Sequence, residues 1–119
     1  MTRWYVDGAG WNGRVSRYCV VKDKEVFERK TFSKEYTNNE MEYMAMIAAL
    51  KAASPGDEIC ADSQLIIRQI KGQYKVKKPH LVPLNRQACE LVSKGVTLIE
   101  IPREENRAGK WLEWSSSDA

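Results

Sequence analysis

The sequence predicts an α/β fold built on a mixed five-stranded sheet, with three antiparallel strands first, two further strands after them, and helices flanking the sheet. Three observations carry this. Runs rich in β-branched and aromatic residues fill the first third of the chain, apolar residues recur at helical spacing from residue 41 onward, and two short apolar runs at 58–61 and 96–101 interrupt the helical part. A three-stranded meander followed by helix–strand units gives a mixed sheet with helices on its faces. The predicted order is β-β-β-α-β-α-α-β-α.

Each element has a local reason. Trp4-Tyr5-Val6 is an aromatic and β-branched run that stops at Asp7-Gly8. Residues 8–13, with three glycines and Asn12, are turn chemistry. Residues 17–21 and 25–29 flank Lys22-Asp23-Lys24 and so form a hairpin. Asn38 or Asn39 caps the first helix, whose Met41, Met44, Ala45, Ala48 and Ala52 share helical spacing, and Pro55-Gly56 ends it. A short strand at 58–61 runs into Asp62. A second helix starts at Ser63, carries Leu65, Ile66, Ile67 and Ile70, and stops at Gly72. The third follows Pro79, with Leu81, Leu84, Ala88, Leu91 and Val92, and Gly95 closes it. Residues 96–101 alternate as a last strand buried mainly on one side, and a short helix at 108–114 ends the fold, with Trp111 and Trp114 expected to pack it onto the core.

At 119 residues the chain reads as one domain over residues 1–114, with 115–119 as a flexible tail. Its apolar runs fall far short of the ~20 residues of a membrane span. No basic-flanked apolar segment opens the chain, so neither export nor a membrane is expected. The formal charge of +3 points only weakly to nucleic acid. Cys19, Cys60 and Cys89 are an odd number without a CxxC pair, each beside apolar or small residues, which reads as free thiols in a reducing cytoplasm.

Two acids stand at the ends of predicted strands, Asp7 and Asp62, where ligands of α/β sheets commonly sit. Glu40 or Glu42 lies in the first turns of the neighbouring helix. Three converging carboxylates repel one another unless a cation neutralises them, which points to Mg²⁺ or Mn²⁺ and phosphoryl transfer. Taken singly, each aspartate reads as a turn former or helix cap, and composition alone does not bring the three together.

More specific are four segments: Tyr5-Val6-Asp7-Gly8 with its glycine-rich turn, Thr37-Asn38-Asn39-Glu40-Met41-Glu42, Ala61-Asp62-Ser63-Gln64, and Pro102-Arg103-Glu104-Glu105-Asn106 with the helix behind it. On these the chain resembles the type 1 ribonuclease H family over essentially its whole length, in particular compact archaeal and bacterial members. The resemblance implies a ribonuclease H-like fold and an endonuclease that cuts the RNA strand of RNA–DNA hybrids, leaving 3′-hydroxyl and 5′-phosphate ends. It implies two divalent ions when substrate is bound, held by Asp7, Glu42 and Asp62. Glu40, about 200° around the helix from Glu42, cannot share that work. Asn12, Asn39 and Gln64 match minor-groove contacts, where 2′-hydroxyls distinguish RNA from DNA. Thr37 and Asn38 match the neighbourhood gripping a DNA-strand phosphate. The basic segment at 71–78, with Lys75 and Lys77 beside Tyr74, fits backbone binding, with a solvated loop as the alternative.

Two positions depart from the family. Where a fourth carboxylate opens the last helix, the run Asn106-Arg107-Ala108-Gly109-Lys110-Trp111-Leu112 aligns Lys110. Three resolutions stand open: Asn106 as a neutral oxygen ligand, Glu113, Glu104 or Glu105 as the missing charge, or a site of three carboxylates. The first and last together are favoured, with Asn106 counted among the catalytic residues. The family's loop histidine is also missing; the single histidine, His80, reads as a capping or surface residue, and Arg103 or the loop glutamates stand in. The competing functions are a hybrid- or duplex-RNA-binding module with a decayed site, motivated by Lys110, and a nuclease of the integrase or resolvase type, which the TNNxxE and DSQ motifs disfavour. A monomer without a protein partner is expected.

Overall fold

The computed structural model describes residues 1–117. Its elements are β1 (Arg3–Ala9), β2 (Ser16–Lys22), β3 (Glu25–Phe32), α1 (Asn38–Ala52), β4 (Glu58–Ala61), α2 (Gln64–Ile70), α3 (Val82–Val92), β5 (Thr97–Glu100) and α4 (Arg107–Ser117). Single 3₁₀ turns precede α3, at Pro79–Leu81, and α4, at Arg103–Glu105. The five strands form one sheet in the order β3-β2-β1-β4-β5. β1, β2 and β3 pair antiparallel, whereas β4 runs parallel to both β1 and β5. The predicted element order and the mixed sheet are thus both present.

Alternation along β1 sorts the sheet's two faces. Trp4 and Val6 face the larger core, shared with Tyr43, Met46 and Leu50 of α1, Ile66 and Ile67 of α2, and Ala88 of α3. Tyr5 faces the other way, onto a smaller core with Cys19, Val21, Cys60, Ala108 and Leu112. α1, α2 and α3 therefore cover one face and α4 the other. Asp7, two residues beyond Tyr5, belongs to the α4 face, and Gly8 to the α1 face.

Several local expectations shift. β1 runs through Asp7 and Gly8 to Ala9 instead of stopping at them, because β2 continues to pair alongside, Asp7 with Cys19 and Gly8 with Tyr18. The cap of α1 is Thr37, not Asn38 or Asn39. Its hydroxyl accepts from the Glu40 N–H at 3.1 Å and the Glu40 carboxylate accepts from the Thr37 N–H at 2.9 Å, a reciprocal capping box that leaves both asparagines inside the first turn. The second helix, expected to start at Ser63, starts at Gln64, and Ser63 caps it by accepting from the Ile66 N–H. α4 continues to Ser117, so the backbone at 115–117 is helical rather than a tail. The side chain of Trp114 and residues 118–119 lie outside the described residues. Trp111 is exposed and stacks against Arg29 instead of entering the core. Cys19 and Cys60 are buried free thiols; the Cys89 thiol is free and half-buried, and it faces the Ile70 carbonyl. Among the described residues no helix is long and apolar enough to cross a membrane.

Candidate active site

The site forms where β1 and β4 end and α1, α2 and α4 begin or pass. Asp7 comes from β1, Asp62 directly follows β4, and Glu42 lies in the second turn of α1. Each of the three offers a carboxylate oxygen within 4.8 Å of the others. Glu42 reaches this point because α1 crosses β1 at close range. A Cβ on Gly8 would lie 2.3 Å from the Met41 carbonyl carbon and 2.4 Å from the Glu42 nitrogen, so only glycine permits the approach. The Gly8 N–H then donates to Glu42 Oε1 at 2.8 Å and orients it.

Burial and mutual repulsion make this cluster demand positive charge. Burial, then the adjacent Asp7, push the Glu42 carboxyl up to about 9. Burial also raises Asp7, against the pull of the neighbouring Glu42 carboxyl and of the Arg103 guanidinium. Asp7 Oδ1 is buried without a hydrogen-bond partner. The other oxygen, Oδ2, accepts from Arg103 Nη1 at 2.8 Å, and the same nitrogen donates to Asp62 Oδ2 at 3.2 Å. An orphaned buried carboxylate oxygen, an acid raised by burial and by its neighbours, and a guanidinium held between two aspartates all fit a hard divalent cation.

Asn106 is part of the site, but not as an oxygen ligand. Its Nδ2 donates to the Val6 carbonyl at 2.9 Å and to Asp62 Oδ2 at 2.7 Å, while its Oδ1 accepts from the Ala108 N–H at 3.1 Å. A carbonyl can only accept and an N–H only donate, so the amide orientation is forced. Its oxygen caps α4 and its nitrogen steers Asp62.

Lys110 is not in the site either. α4 buries Ala108 and Leu112 against the sheet, and Lys110 is exposed on the far side, lining a groove with Lys24, Arg107 and Trp111. The residue of α4 that faces Asp7 is Gly109, whose added Cβ would lie 3.1 Å from Asp7 Oδ2. Sequence alignment placed the lysine correctly along the chain but not around the helix. It also missed Arg103 as counter-ion to the cluster; the signal available was a lone arginine just ahead of the Asn106 motif.

The remaining residues ring this centre at differing removes. Asn38 Oδ1 accepts from the Gly10 N–H at 2.6 Å and so ties the glycine-rich loop to the start of α1. Thr37 is occupied by its capping box. Asn12 Oδ1 accepts from the Arg14 and Val15 N–H groups, closing its own turn. Asn39 is half-buried in the first turn of α1, and Gln64 is exposed at the first residue of α2, two places after Asp62. Lys75 and Lys77 are exposed in the link after α2. That link is anchored where Arg68 stacks on Tyr74 and pairs with Glu100 at 2.9 Å. His80 is exposed in the turn before α3, away from the carboxylates.

A mixed sheet that gathers acids from two parallel strand ends and a crossing helix defines a class of α/β proteins whose carboxylates could hold a metal ion. The RNase H family profile matches residues 1–106, and the chain belongs to that family. RNase H1 of the halophilic archaeon Halobacterium salinarum superposes with a TM-score of 0.79 at 27% identity, over 99% of this chain and 98% of that one. LC11-RNase H1, isolated from compost and solved in complex with an RNA/DNA hybrid, gives 0.75 at 29% identity over 92% of each chain. A bifunctional protein of Mycobacterium tuberculosis is 34% identical over 89 residues, which is 70% of this chain and 24% of the relative. The chain therefore spans about a quarter of that curated relative's length.

Proposed function

We propose that this chain is a metal-dependent endonuclease that hydrolyses the RNA strand of RNA–DNA hybrids. The convergence of Asp7, Glu42 and Asp62 within 4.8 Å, around a buried oxygen with no partner, carries the reading. The hybrid as substrate is supported by family membership and by the similar LC11 enzyme that was solved with one.

Asp7, Glu42 and Asp62 would hold Mg²⁺ or Mn²⁺, two ions with substrate bound, and the chemistry such ions would supply is a more acidic water and charge stabilisation of a leaving oxygen. Around them the chain supplies position. Gly8 fixes Glu42 through its N–H, Asn106 fixes Asp62, and both are set before substrate arrives. Asn39, Gln64 and Asn12 would read 2′-hydroxyls in the minor groove. Thr37 and Asn38, at the N-terminus of α1, would take a DNA-strand phosphate, since first-turn N–H groups and the helix dipole favour an anion there. Lys75 and Lys77 would contact backbone phosphates without reading sequence. The chain would act as a cytoplasmic monomer.

The test is cleavage of an end-labelled RNA–DNA hybrid in Mg²⁺ and in Mn²⁺, beside Asp62→Asn. Cutting by the wild type to 3′-hydroxyl ends, lowered by about 10³-fold or more in Asp62→Asn, is expected, since a lost electrostatic stabiliser of the transition state costs on that order. Hybrid binding with no cutting in either metal would instead make this chain a binding module.

A further inference from the structure

We propose that Glu113 supplies the fourth carboxylate of this site and, with Asp7, holds a second cation at the position the Arg103 guanidinium fills. The inference rests on the metal-dependent reading above and names a residue for it. The Arg103 guanidinium is ringed by acids from three elements. Nη1 lies 2.8 Å from Asp7 Oδ2 and 3.2 Å from Asp62 Oδ2, and Nη2 lies 3.8 Å from Glu113 Oε1. A cation of higher charge density in its place faces the same three carboxylates. Glu42 is held by the Gly8 N–H, with a carboxylate oxygen within 4.8 Å of those of Asp7 and Asp62. The triad of Asp7, Glu42 and Asp62 offers one cation position, and the Arg103 guanidinium between Asp7, Asp62 and Glu113 marks the other. The uncommitted Asp7 Oδ1, buried and unpartnered, is an independent sign that the centre is built for more positive charge than the chain itself provides.

The geometry of α4 explains why the fourth acid sits at 113. Gly109 and Glu113 are four residues apart and share one helix face. Gly109 puts no side chain between that face and Asp7, where even a Cβ would come within 3.4 Å of Arg103 Cζ. A glutamate one turn further on has the length to approach over the glycine. Lys110, turned toward Lys24 and Arg107, does not oppose the ion. Arg103, whose side chain is half-exposed on a 3₁₀ turn, can swing into solvent when a metal ion arrives.

The experiment titrates Mn²⁺ into the whole chain bound to a 2′-O-methyl RNA–DNA hybrid, which is not hydrolysed, and reads free Mn²⁺ by electron paramagnetic resonance. The wild type is expected to take up two ions. Glu113→Gln should weaken the second by about tenfold or more, the range for residues that tune a metal site, with melting temperature and hybrid affinity unchanged. Glu104→Gln and Glu105→Gln should match the wild type. The same loss must persist in an Arg103→Gln background, where Glu113 no longer has a guanidinium to hold. Wild-type Mn²⁺ affinity in Glu113→Gln overturns the assignment, as does a loss that vanishes without Arg103. Uptake of a single ion by the wild type overturns the second position alone. Uptake of none overturns the nuclease chemistry with it.

Discussion

At the scale of single residues, one amide does three jobs. Asn106 is fully buried, and its bonds to Val6, Asp62 and Ala108 join the end of β1, the acid after β4 and the first turn of α4. Asn106→Ala leaves the Val6 carbonyl and the Ala108 N–H without partners and frees Asp62 to rotate. Cleavage of the labelled hybrid is expected to fall by about 10–100-fold, as for other residues that orient ligands. Stability should fall by about 1–3 kcal/mol from the unsatisfied groups, read in a urea melt. A variant that kept full activity would show that Asp62 needs no guide. Sequence spacing located Asn106 correctly at the mouth of α4. It did not reveal which end of the amide faces the acid, because that depends on a carbonyl 100 residues away in the chain.

At the scale of elements, the crossing of α1 over β1 is the contact that makes a site. α1 carries buried residues around much of its circumference, Met41, Tyr43, Met46, Ile47 and Leu50 among them, so its amphipathic signal is blunt and its face is hard to read from sequence. What fixes its height above the sheet is Gly8. Gly8→Ala would place a Cβ 2.3 Å from α1 backbone, which cannot give way as a side-chain tip would. The variant is expected to lose about 3 kcal/mol or more in chemical denaturation, the range reserved for overpacking against fixed structure. It should also lose hybrid cleavage, because α1 carries Glu42 away as it retreats. A melt close to wild type would mean that α1 rides more loosely on the sheet than the structure shows. The glycine was visible in the Asp7-Gly8 pair, but as a turn residue; its real task is close approach.

At the scale of the whole molecule, Asp57 closes the end of the sheet remote from the acids. Its carboxylate accepts from the Thr2 N–H, the Ser54 N–H and the Trp4 indole N–H, each at 3.0 Å, and so joins the chain start, the turn after α1 and the larger core. The Ser54, Thr2 and Trp4 bonds, in that order, pull its pKa from 3.8 down to about 2. A carboxyl depressed by folding binds fewer protons in the folded than in the unfolded state. Its contribution is therefore complete above about pH 4 and is lost as pH falls toward about 2. Thermal melts from pH 7 to pH 2 should show wild-type stability dropping most steeply in that window. Asp57→Asn should be less stable at pH 7 and lose less between pH 4 and pH 2; equal slopes for the two proteins would remove Asp57 from the acid transition.

The sequence by itself determined the order of elements, because strand runs, helix starts and glycine turns are short-range signals; that Asp7, Glu42 and Asp62 meet was legible only through the family resemblance, since the contact joins residues far apart in the chain. Only the tertiary structure decided the rotation of α4. Burying Leu112 contributes about 1.5–3 kcal/mol, whereas burying a lysine charge costs several, so the helix turns Ala108 and Leu112 onto Tyr5, Cys19 and Cys60 and leaves Lys110 in solvent. At about 100° per residue, that choice brings Gly109 to Asp7 and Glu113 to the Arg103 guanidinium. An alignment reads position along a helix; which side meets the site is settled by the sheet it packs on.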